Sequence, residues 1–504
     1  MAKEKNQKSM EETLWESANK LRGSVESSEY KHIVLGLIFL KFVSDTFEER
    51  REKLLAEGKE AFIDMVEFYT MDNVFYLPET SRWSYIKQNA KQDDIALKID
   101  TALASIEKTN PSLKGALPDN YFSRLGLDPS KLSSLIDTIN NINTLEDKGH
   151  DVVGRVYEYF LGEFALAEGK LGGQFYTPKS IVNLIANMIE PYKGKIYDPA
   201  CGSGGMFVQS LKFIEAHKGN KKDISIYGQE FTATTYKLAK MNLAIRGISA
   251  NLGAVPADSF FKDQHPDLKA DYIMANPPFN QKEWRGVNEL LDDPRWAGYE
   301  VPSASNANYG WILHMVSKLS ENGIAGFVLA KGSLTSNSSN EGEIRKQLIE
   351  NNLIDCIVNL PAKLFFNTQI PACLWFIKKN KKTNDILFID ARNIGHLINR
   401  RNKDFSEANI EQIASTYHNW KVEKHYEDVK GFCKSASVEE VRTLGYVLTP
   451  GRYVGLEDSE DEFDFKERFE SLHVKLQEQM KEEQSLNERI LANLAKVNLA
   501  VVDE

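Results

Sequence analysis

From residue 195 to residue 390, short apolar runs alternate with helix-patterned stretches, and nothing else in the chain narrows the fold as far. Lys195–Pro199, Ile224–Gly228, Tyr272–Ala275, Ala325–Leu329, Ile354–Asn359 and Leu374–Lys378 read as strands, with a further one ahead of Asp258. Ile386–Asp390 reads as one more. Helical patterns such as Met206–His217 separate them. Strands that alternate with helices form a parallel sheet covered on both faces. The expected fold class is therefore α/β, a doubly wound, mostly parallel, Rossmann-like sheet of about seven strands. In such folds ligands bind outside the carboxyl ends of the strands, at the point where strand order reverses. The residues that end strands are the first candidates for chemistry.

One strand end is unusually stiff. Asp271-Tyr272-Ile273-Met274-Ala275 runs into Asn276-Pro277-Pro278-Phe279. A residue before proline is pushed into extended geometry, and two successive prolines fix φ and donate no N–H. The loop holds the Asn276 amide, the Pro277 carbonyl and the Phe279 ring in a fixed relation. Two hydrogen-bond acceptors beside an aromatic ring suit a flat substrate that carries an exocyclic amine.

The first strand opens into Asp198-Pro199-Ala200-Cys201-Gly202-Ser203-Gly204-Gly205 and then a helix. A glycine-rich turn between strand and helix lets the backbone approach a ligand closely. The lysine and hydroxyl pair of a triphosphate-binding loop is missing, and the glycine spacing is not GxGxxG. The spacing Asp198…Gly202-x-Gly204 resembles the first motif of S-adenosylmethionine-dependent methyltransferases. Glu230 ends the second strand, where an acidic residue accepts both hydroxyls of a ribose. Asp258 follows the third strand and is placed to accept from an adenine amine. Ahead of the first strand, Gly172-Gly173-Gln174-Phe175-Tyr176-Thr177-Pro178-Lys179 leads into the helix Ser180–Ile189. Free N–H groups at a helix start and the Thr177 hydroxyl are suited to a carboxylate such as that of a methionine moiety.

The flanking regions carry less chemistry. Apolar residues at helical spacing in Glu11–Leu21, Tyr30–Phe47 (with Ser28 as N-cap), Lys53–Phe68, Asp93–Lys108 and Leu132–Ile142 predict a helical domain over residues 1–150. The sheet would occupy 151–425, and 426–504 would be a linker and a long helix, Asp464–Val497. That helix carries Phe465, Phe469, Leu472, Leu476, Leu486, Ile490 and Val497 in a seam, interrupted by Gln479 and Glu483. Residues 451–504 hold fourteen acidic and seven basic side chains, so the seam suits a protein partner better than DNA. Arg400-Arg401-Asn402-Lys403 is a small basic cluster. The four cysteines, Cys201, Cys356, Cys373 and Cys433, form no CxxC pair, which points away from a zinc site or a disulfide framework and toward a reducing cytoplasm. No secretory signal opens the chain, and the longest apolar run, Ile33–Val43, is too short to span a bilayer and is broken by Lys41. The net charge is −10, so DNA contact would need a local basic patch or a partner.

Taken in order, Gln174-Phe175-Tyr176-Thr177-Pro178, the Asp198–Gly205 turn, Glu230 and Asn276-Pro277-Pro278-Phe279 resemble the DNA adenine-N6 methyltransferases. More closely, the chain resembles the modification subunit of type I restriction–modification systems. The similarity takes in the N-terminal region around Leu14-Trp15-Glu16 and Leu37–Phe47, the stretch Leu360-Pro361 to Phe376, and Leu448-Thr449-Pro450-Gly451-Arg452-Tyr453. It implies that Gln174, Phe175, Tyr176, Thr177, Pro178, Lys179, Ser203, Gly204, Gly205 and Glu230 bind S-adenosylmethionine. It also implies that Asn276, Pro277, Pro278 and Phe279 form the catalytic loop. The implied partners are double-stranded DNA, a specificity subunit, a second copy of this subunit and a restriction subunit. Two alternatives share parts of the pattern: a protein-glutamine methyltransferase, which also uses Asn-Pro-Pro before an aromatic residue, and a non-catalytic DNA-binding scaffold.

Overall fold

The computed structural model describes residues 27–142, 177–365, 370–399, 402–422, 425–455 and 465–495, together with Trp15, Glu16, Asn19 and Tyr159. Most of the expected helix Glu11–Leu21 and most of the loop 172–179 therefore lie outside the described residues; Trp15, Glu16 and Asn19 are helical. Two compact units divide at Gly455.

The first unit is built on a nine-stranded sheet. Its strands are β1 (Gly194–Asp198), β2 (Ile224–Gly228), β3 (Ala250–Asn251), β4 (Ala270–Ala275), β5 (Leu319–Ala330), β6 (Ile354–Asn359), β7 (Ala372–Lys378), β8 (Ile386–Asp390) and β9 (Cys433–Ala436). Their spatial order is β9-β8-β6-β7-β5-β4-β1-β2-β3. Strand β1 pairs in parallel with β2 on one side and with β4 on the other. The chain runs outward from β1 to β3, then returns across β1 to begin β4. The loops after β1 and β4 thus flank the switch point, where a doubly wound sheet opens a crevice. Strand β7 is antiparallel to β5 and β6, and β9 is antiparallel to β8.

The sheet exceeds the expected seven strands by two, and the 426–504 segment is not a linker at its start. Cys433–Ala436 is a short, mixed edge strand with no apolar alternation to announce it. Beyond it, Tyr453 stacks on Phe388 of β8 with ring centroids 3.8 Å apart and planes 4° from parallel. The chain leaves the packed unit only after Gly455.

The N-terminal region is helical. Helix α1 spans Ser27–Ala56, α2 spans Ile95–Thr109 and α3 spans Pro129–Asn140. The expected helix Lys53–Phe68 does not form as one piece. Gly58 takes φ +72°, the Lys59 N–H donates to the Leu54 carbonyl (2.9 Å) and the Gly58 N–H donates to Leu55 (3.0 Å), which closes α1 in a Schellman turn. The core of this region includes Ile33, Leu37, Phe47, Ile99 and Ile136. Leu238, Met241 and Ile245 of a sheet-covering helix belong to the same cluster, so the helical region packs directly on the sheet unit.

Four more helices position the site: α4 (Lys179–Ile189), α5 (Gly205–Ala216), α6 (Ala233–Ile245) and α7 (Asn308–Lys318). Helix α8 is Glu341–Glu350 and α9 is Glu407–Lys421. The second unit contains α10, Phe465–Leu494, close to the expected span. Its seam is open to solvent: Phe469, Leu472, Leu476 and Ile490 are each more than half exposed. Among the described residues no helix is long and apolar enough to cross a membrane.

Candidate active site

Strand β4 ends at Ala275 with its last three residues buried, and Asn276 follows at the switch point. The Asn276 Nδ2 donates to the Thr177 Oγ1 at 2.8 Å. Thr177 immediately precedes Pro178 and α4, so the start of that helix sets the orientation of the amide. The Asn276 Oδ1 is buried and has no hydrogen-bond partner among the described residues. Leaving a buried acceptor unmade costs about 1–3 kcal/mol, so a bare amide oxygen calls for a donor supplied from outside the chain. Ser180 Oγ, at the second position of α4, is likewise buried and unpartnered among the described residues. The far end of the loop is fixed by a reciprocal amide pair. The Asn280 N–H donates to Asn308 Oδ1 (3.0 Å), and Asn308 Nδ2 donates to Asn280 Oδ1 (2.9 Å). Asn308 is buried at the start of α7.

Phe279 is only 8% exposed. Its ring meets Phe365 edge to face, with centroids 5.8 Å apart. The ring expected beside the two acceptors is thus part of the core in this structure.

The glycine turn after β1 lies beside this loop. Gly202 (φ +54°) and Gly204 (φ +80°) use the left-handed region that glycine alone adopts without strain. Among the described residues a Cβ placed on Gly202 or Gly205 would meet nothing within 4 Å, which leaves room for a ligand against the turn. Glu230, at the end of β2, holds the turn from beneath. Its Oε2 accepts the Gly202 N–H (3.1 Å), its Oε1 accepts the Thr232 N–H (2.8 Å), and its backbone carbonyl accepts from Ala257 (2.9 Å). Asp198 is fully buried and accepts the Ala200 N–H at 2.9 Å. Burial, and then the Glu230 charge, push the Asp198 carboxyl up to about 8, against one backbone hydrogen bond that favours its charged form. Burial likewise raises Glu230 above the usual carboxylate range, while the Thr232 and Gly202 N–H groups work to lower it. Asp258 is half-buried and caps its own turn, accepting the Phe260 N–H at 2.7 Å.

The structure gathers Thr177, Asp198, Gly202–Gly205, Glu230, Asp258 and Asn276 on one sheet edge. Gln174, Phe175 and Tyr176 lie outside the described residues. Pro178 is buried at the start of α4, and Lys179 is exposed. Two residues on this edge escaped the sequence reading. Phe231, next to Glu230, is 70% exposed, an uncovered ring beside a ribose-type carboxylate. A large apolar residue directly after an acidic strand end was the available signal. The other is Arg295. Its Nε and Nη2 grip Asp293 (2.7 and 2.6 Å), Nη1 donates to the Ser259 carbonyl (2.9 Å), and Nη2 also donates to the Phe260 carbonyl (2.5 Å). The remaining Nη1–H meets His314 Nδ1 at 3.1 Å. His314 Nε2 in turn contacts the Tyr197 hydroxyl on β1 (3.1 Å). Burial and the Arg295 charge hold His314 well below the ordinary imidazole range, so it is neutral and accepts from Arg295 through Nδ1. All five guanidinium donors are committed, and they tie the Asp258 turn to the segment that follows the catalytic loop.

A bare amide acceptor beside a glycine turn, at the switch point of a doubly wound sheet, fits an enzyme that acts on an amino nitrogen. Sequence comparison makes this particular. Residues 148–462 match the N-6 DNA Methylase family, and residues 10–139 match the HsdM N-terminal domain. The chain belongs to this N-6 DNA methylase family and is an adenine-specific DNA methyltransferase of the type I restriction–modification kind. It is 47% identical over 441 residues to the type I restriction enzyme HindI methylase subunit of Haemophilus influenzae, covering 83% of this chain and 99% of the relative. It is 39% identical over 505 residues to the MjaIX methylase subunit of Methanocaldococcus jannaschii, covering 95% and 90%. The crystal structure of a type I methyltransferase subunit from Streptococcus thermophilus superposes with a TM-score of 0.77 at 26% identity, over 88% of this chain and 99% of that one. The glutamine-methyltransferase and scaffold alternatives give way to this family.

Proposed function

We propose that the methyl donor is S-adenosylmethionine and that the acceptor is an adenine swung out of duplex DNA, with Asn276 and Pro277 holding its amine. The observation that carries this reading is the buried Asn276 Oδ1, unpartnered among the described residues and locked by Thr177. An adenine amine is a poor nucleophile because its lone pair is delocalised into the ring. Donating its two N–H groups to Asn276 Oδ1 and the Pro277 carbonyl draws that lone pair back onto nitrogen. No strong base is needed; positioned acceptors in a water-poor site supply the rate. Extruding the base costs a few kcal/mol. Stacking on Phe279, once its ring turns from Phe365, would return roughly 1–3 kcal/mol of that.

The cofactor residues follow from the same edge. The sulfonium of S-adenosylmethionine supplies an electrophilic methyl group. The Ser203–Gly205 backbone, with Gly202, borders open space of the kind a methionine moiety fills. Glu230, whose oxygens accept the Gly202 and Thr232 N–H groups, is assigned to the ribose hydroxyls. Asp258 and the exposed Phe231 ring are assigned to the adenine end, and Gln174–Lys179 to the carboxylate end. Within a cytoplasmic complex, two copies of this subunit would join a specificity subunit that selects the DNA sequence and a restriction subunit that cuts. The exposed seam of α10 is the proposed contact with the specificity subunit.

The test is methyl transfer from radiolabelled S-adenosylmethionine to target duplex by the assembled complex. Asn276→Ala should lower the rate by about 100-fold or more with cofactor affinity unchanged, as for loss of a transition-state hydrogen bond. Glu230→Ala should instead weaken cofactor binding by about 10- to 100-fold, the worth of a charge-assisted hydrogen bond. A near-wild-type rate in the first variant, or unchanged affinity in the second, removes the corresponding assignment.

A further inference from the structure

The opposite edge of the sheet carries a concentration of positive charge that methyl transfer does not use. Lys378-Lys379-Asn380-Lys381-Lys382 places four lysines in five residues of a chain whose net charge is −10. Lys378 ends the reversed strand β7, in register with Ile324 of β5, and its neighbour Ile377 pairs with Ile354, the first residue of β6. The run therefore lies at the amino ends of the parallel strands. From Lys378 to Ala372, which pairs with Ala330, β7 spans six steps, about 20 Å of strand. A ligand at this edge is not the base held at Asn276.

A cavity of about 680 Å³ opens there, with Lys378, Lys382 and Lys421 on its wall beside Trp420, Tyr426 and Asn322; one carboxylate, Asp385, also lines it and accepts from Ser435 Oγ at 3.5 Å. The lysines are not equivalent. Lys381 is occupied by the carbonyls of Ile354 (2.5 Å) and Asp385 (2.9 Å), and Lys379 by that of Leu319 (3.0 Å). Lys421 is paired with the buried Asp355 at 2.5 Å and lies 5.0 Å over the Trp420 ring. The side-chain amines of Lys378 and Lys382 have no hydrogen-bond or ion-pair partner among the described residues. Burial first, and then repulsion from Lys421 and Lys382, lower Lys378 below the ordinary lysine range. Like charges gathered around a cavity oppose folding unless an anion offsets them, which is why such clusters mark binding sites. The volume falls within the roughly 300–1,000 Å³ of small-ligand pockets, large enough for a nucleotide and too small for a docked helix.

We propose that this cavity is a second, non-catalytic site that binds phosphate groups through Lys378 and Lys382, with the Trp420 and Tyr426 rings beside the ligand. The phosphates belong either to a free nucleoside polyphosphate or to the backbone of DNA lying outside the catalytic crevice. Neither source depends on the assignment of Asn276, so this site and the catalytic reading stand or fall separately.

The experiment uses the full-length chain. ATP is titrated by calorimetry, and a 20-base-pair duplex lacking the target sequence by fluorescence anisotropy, into wild type and into Lys378→Glu/Lys382→Glu. A tenfold or greater loss of ATP affinity in the double variant assigns the site to a free nucleotide. A comparable loss for the duplex alone assigns it to DNA backbone. In both cases the rate of target methylation by the assembled complex, at saturating DNA, stays within about twofold of wild type. If the glutamate variant does not fold, Lys378→Gln/Lys382→Gln replaces it, with a threefold or greater loss expected. Wild type that binds neither probe at millimolar concentration, or variants that bind both as wild type does, overturns the proposal.

Discussion

The Asn276 amide and the Thr177 hydroxyl, ninety-nine residues apart in the chain, meet at 2.8 Å. The bond fixes which way the amide faces, and it leaves the oxygen, not the nitrogen, unpartnered among the described residues. The sequence assigned Thr177 to a cofactor carboxylate; in the structure its Oγ1 accepts from Asn276, which leaves its O–H to donate to such a group. Thr177→Val removes the acceptor and keeps the shape. A neutral hydrogen bond is worth about 0.5–1.5 kcal/mol, so single-turnover methylation should slow by about 3- to 12-fold. DNA affinity should be unchanged. A single-turnover rate equal to wild type would show that the prolines alone orient Asn276.

Asp198 gives the fold a pH dependence of defined sign. Burial and the Glu230 charge push its carboxyl to about 8, so the folded chain keeps a proton that the unfolded chain loses near pH 4. Between those values the native state binds more protons, and stability falls as pH rises, levelling off above about pH 8. Glu230 is shifted in the same direction and adds to the slope. Asp198→Asn cannot ionise and still accepts from the Ala200 N–H. Urea unfolding at pH 6 and pH 9 should show a clear loss of stability for wild type and a smaller one for the variant. Equal losses would mean that Asp198 is already ionised at pH 6.

Legibility in the sequence followed the range of the physics. The strand ends, the Asp198–Gly205 turn, Glu230 and the Asn276 loop were readable because each is set by neighbours in the chain: alternation, glycine freedom and proline stiffness. Arg295 was not, since its five contacts come from three separate segments, and a lone arginine in a loop carries no local mark. Asn308 was hidden for the same reason. Strand β9 was missed because Cys-Lys-Ser-Ala owes its conformation to β8 and not to its own side chains. Phe279 shows the reverse limit. Its position was readable, but its burial against Phe365 depends on a residue that the local pattern does not reach.

Arg295 tests how far cofactor and target loops depend on one side chain. Its side chain is 11% exposed and that of Asp293 13%, so the pair is nearly dry. Removing one partner of such a pair costs about 3–5 kcal/mol, because the other charge stays buried. Arg295→Ala should therefore lower the unfolding midpoint sharply. Arg295→Lys keeps the charge but loses the fork, and the Ser259 and Phe260 carbonyls are then unequally served. In Arg295→Lys, KM for the methyl donor should rise several-fold while the folded fraction at 25 °C stays near one, since the Asp258 turn is loosened. An unchanged KM with a reduced melting temperature would confine Arg295 to stability.

The last helix separates assembly from catalysis. Helix α10 belongs to a unit that begins at Leu456, and Phe469, Leu472, Leu476, Met480 and Ile490 are each more than half exposed along it. Apolar surface left in water costs about 25 cal/mol per Å², so a seam of this length is expected to be covered in the working complex. The first unit, in contrast, holds the whole described site and closes its packing at Tyr453 and Val454, both buried. Truncation after Gly455 should therefore leave the melting temperature of the remaining chain within a few degrees of wild type and its cofactor affinity unchanged. Co-purification with the specificity subunit should be lost, and with it methylation of target DNA. Leu472→Lys together with Ile490→Lys, which charges the seam without shortening the chain, should reproduce the defect. Normal assembly by either protein would show that the specificity subunit docks elsewhere on the first unit.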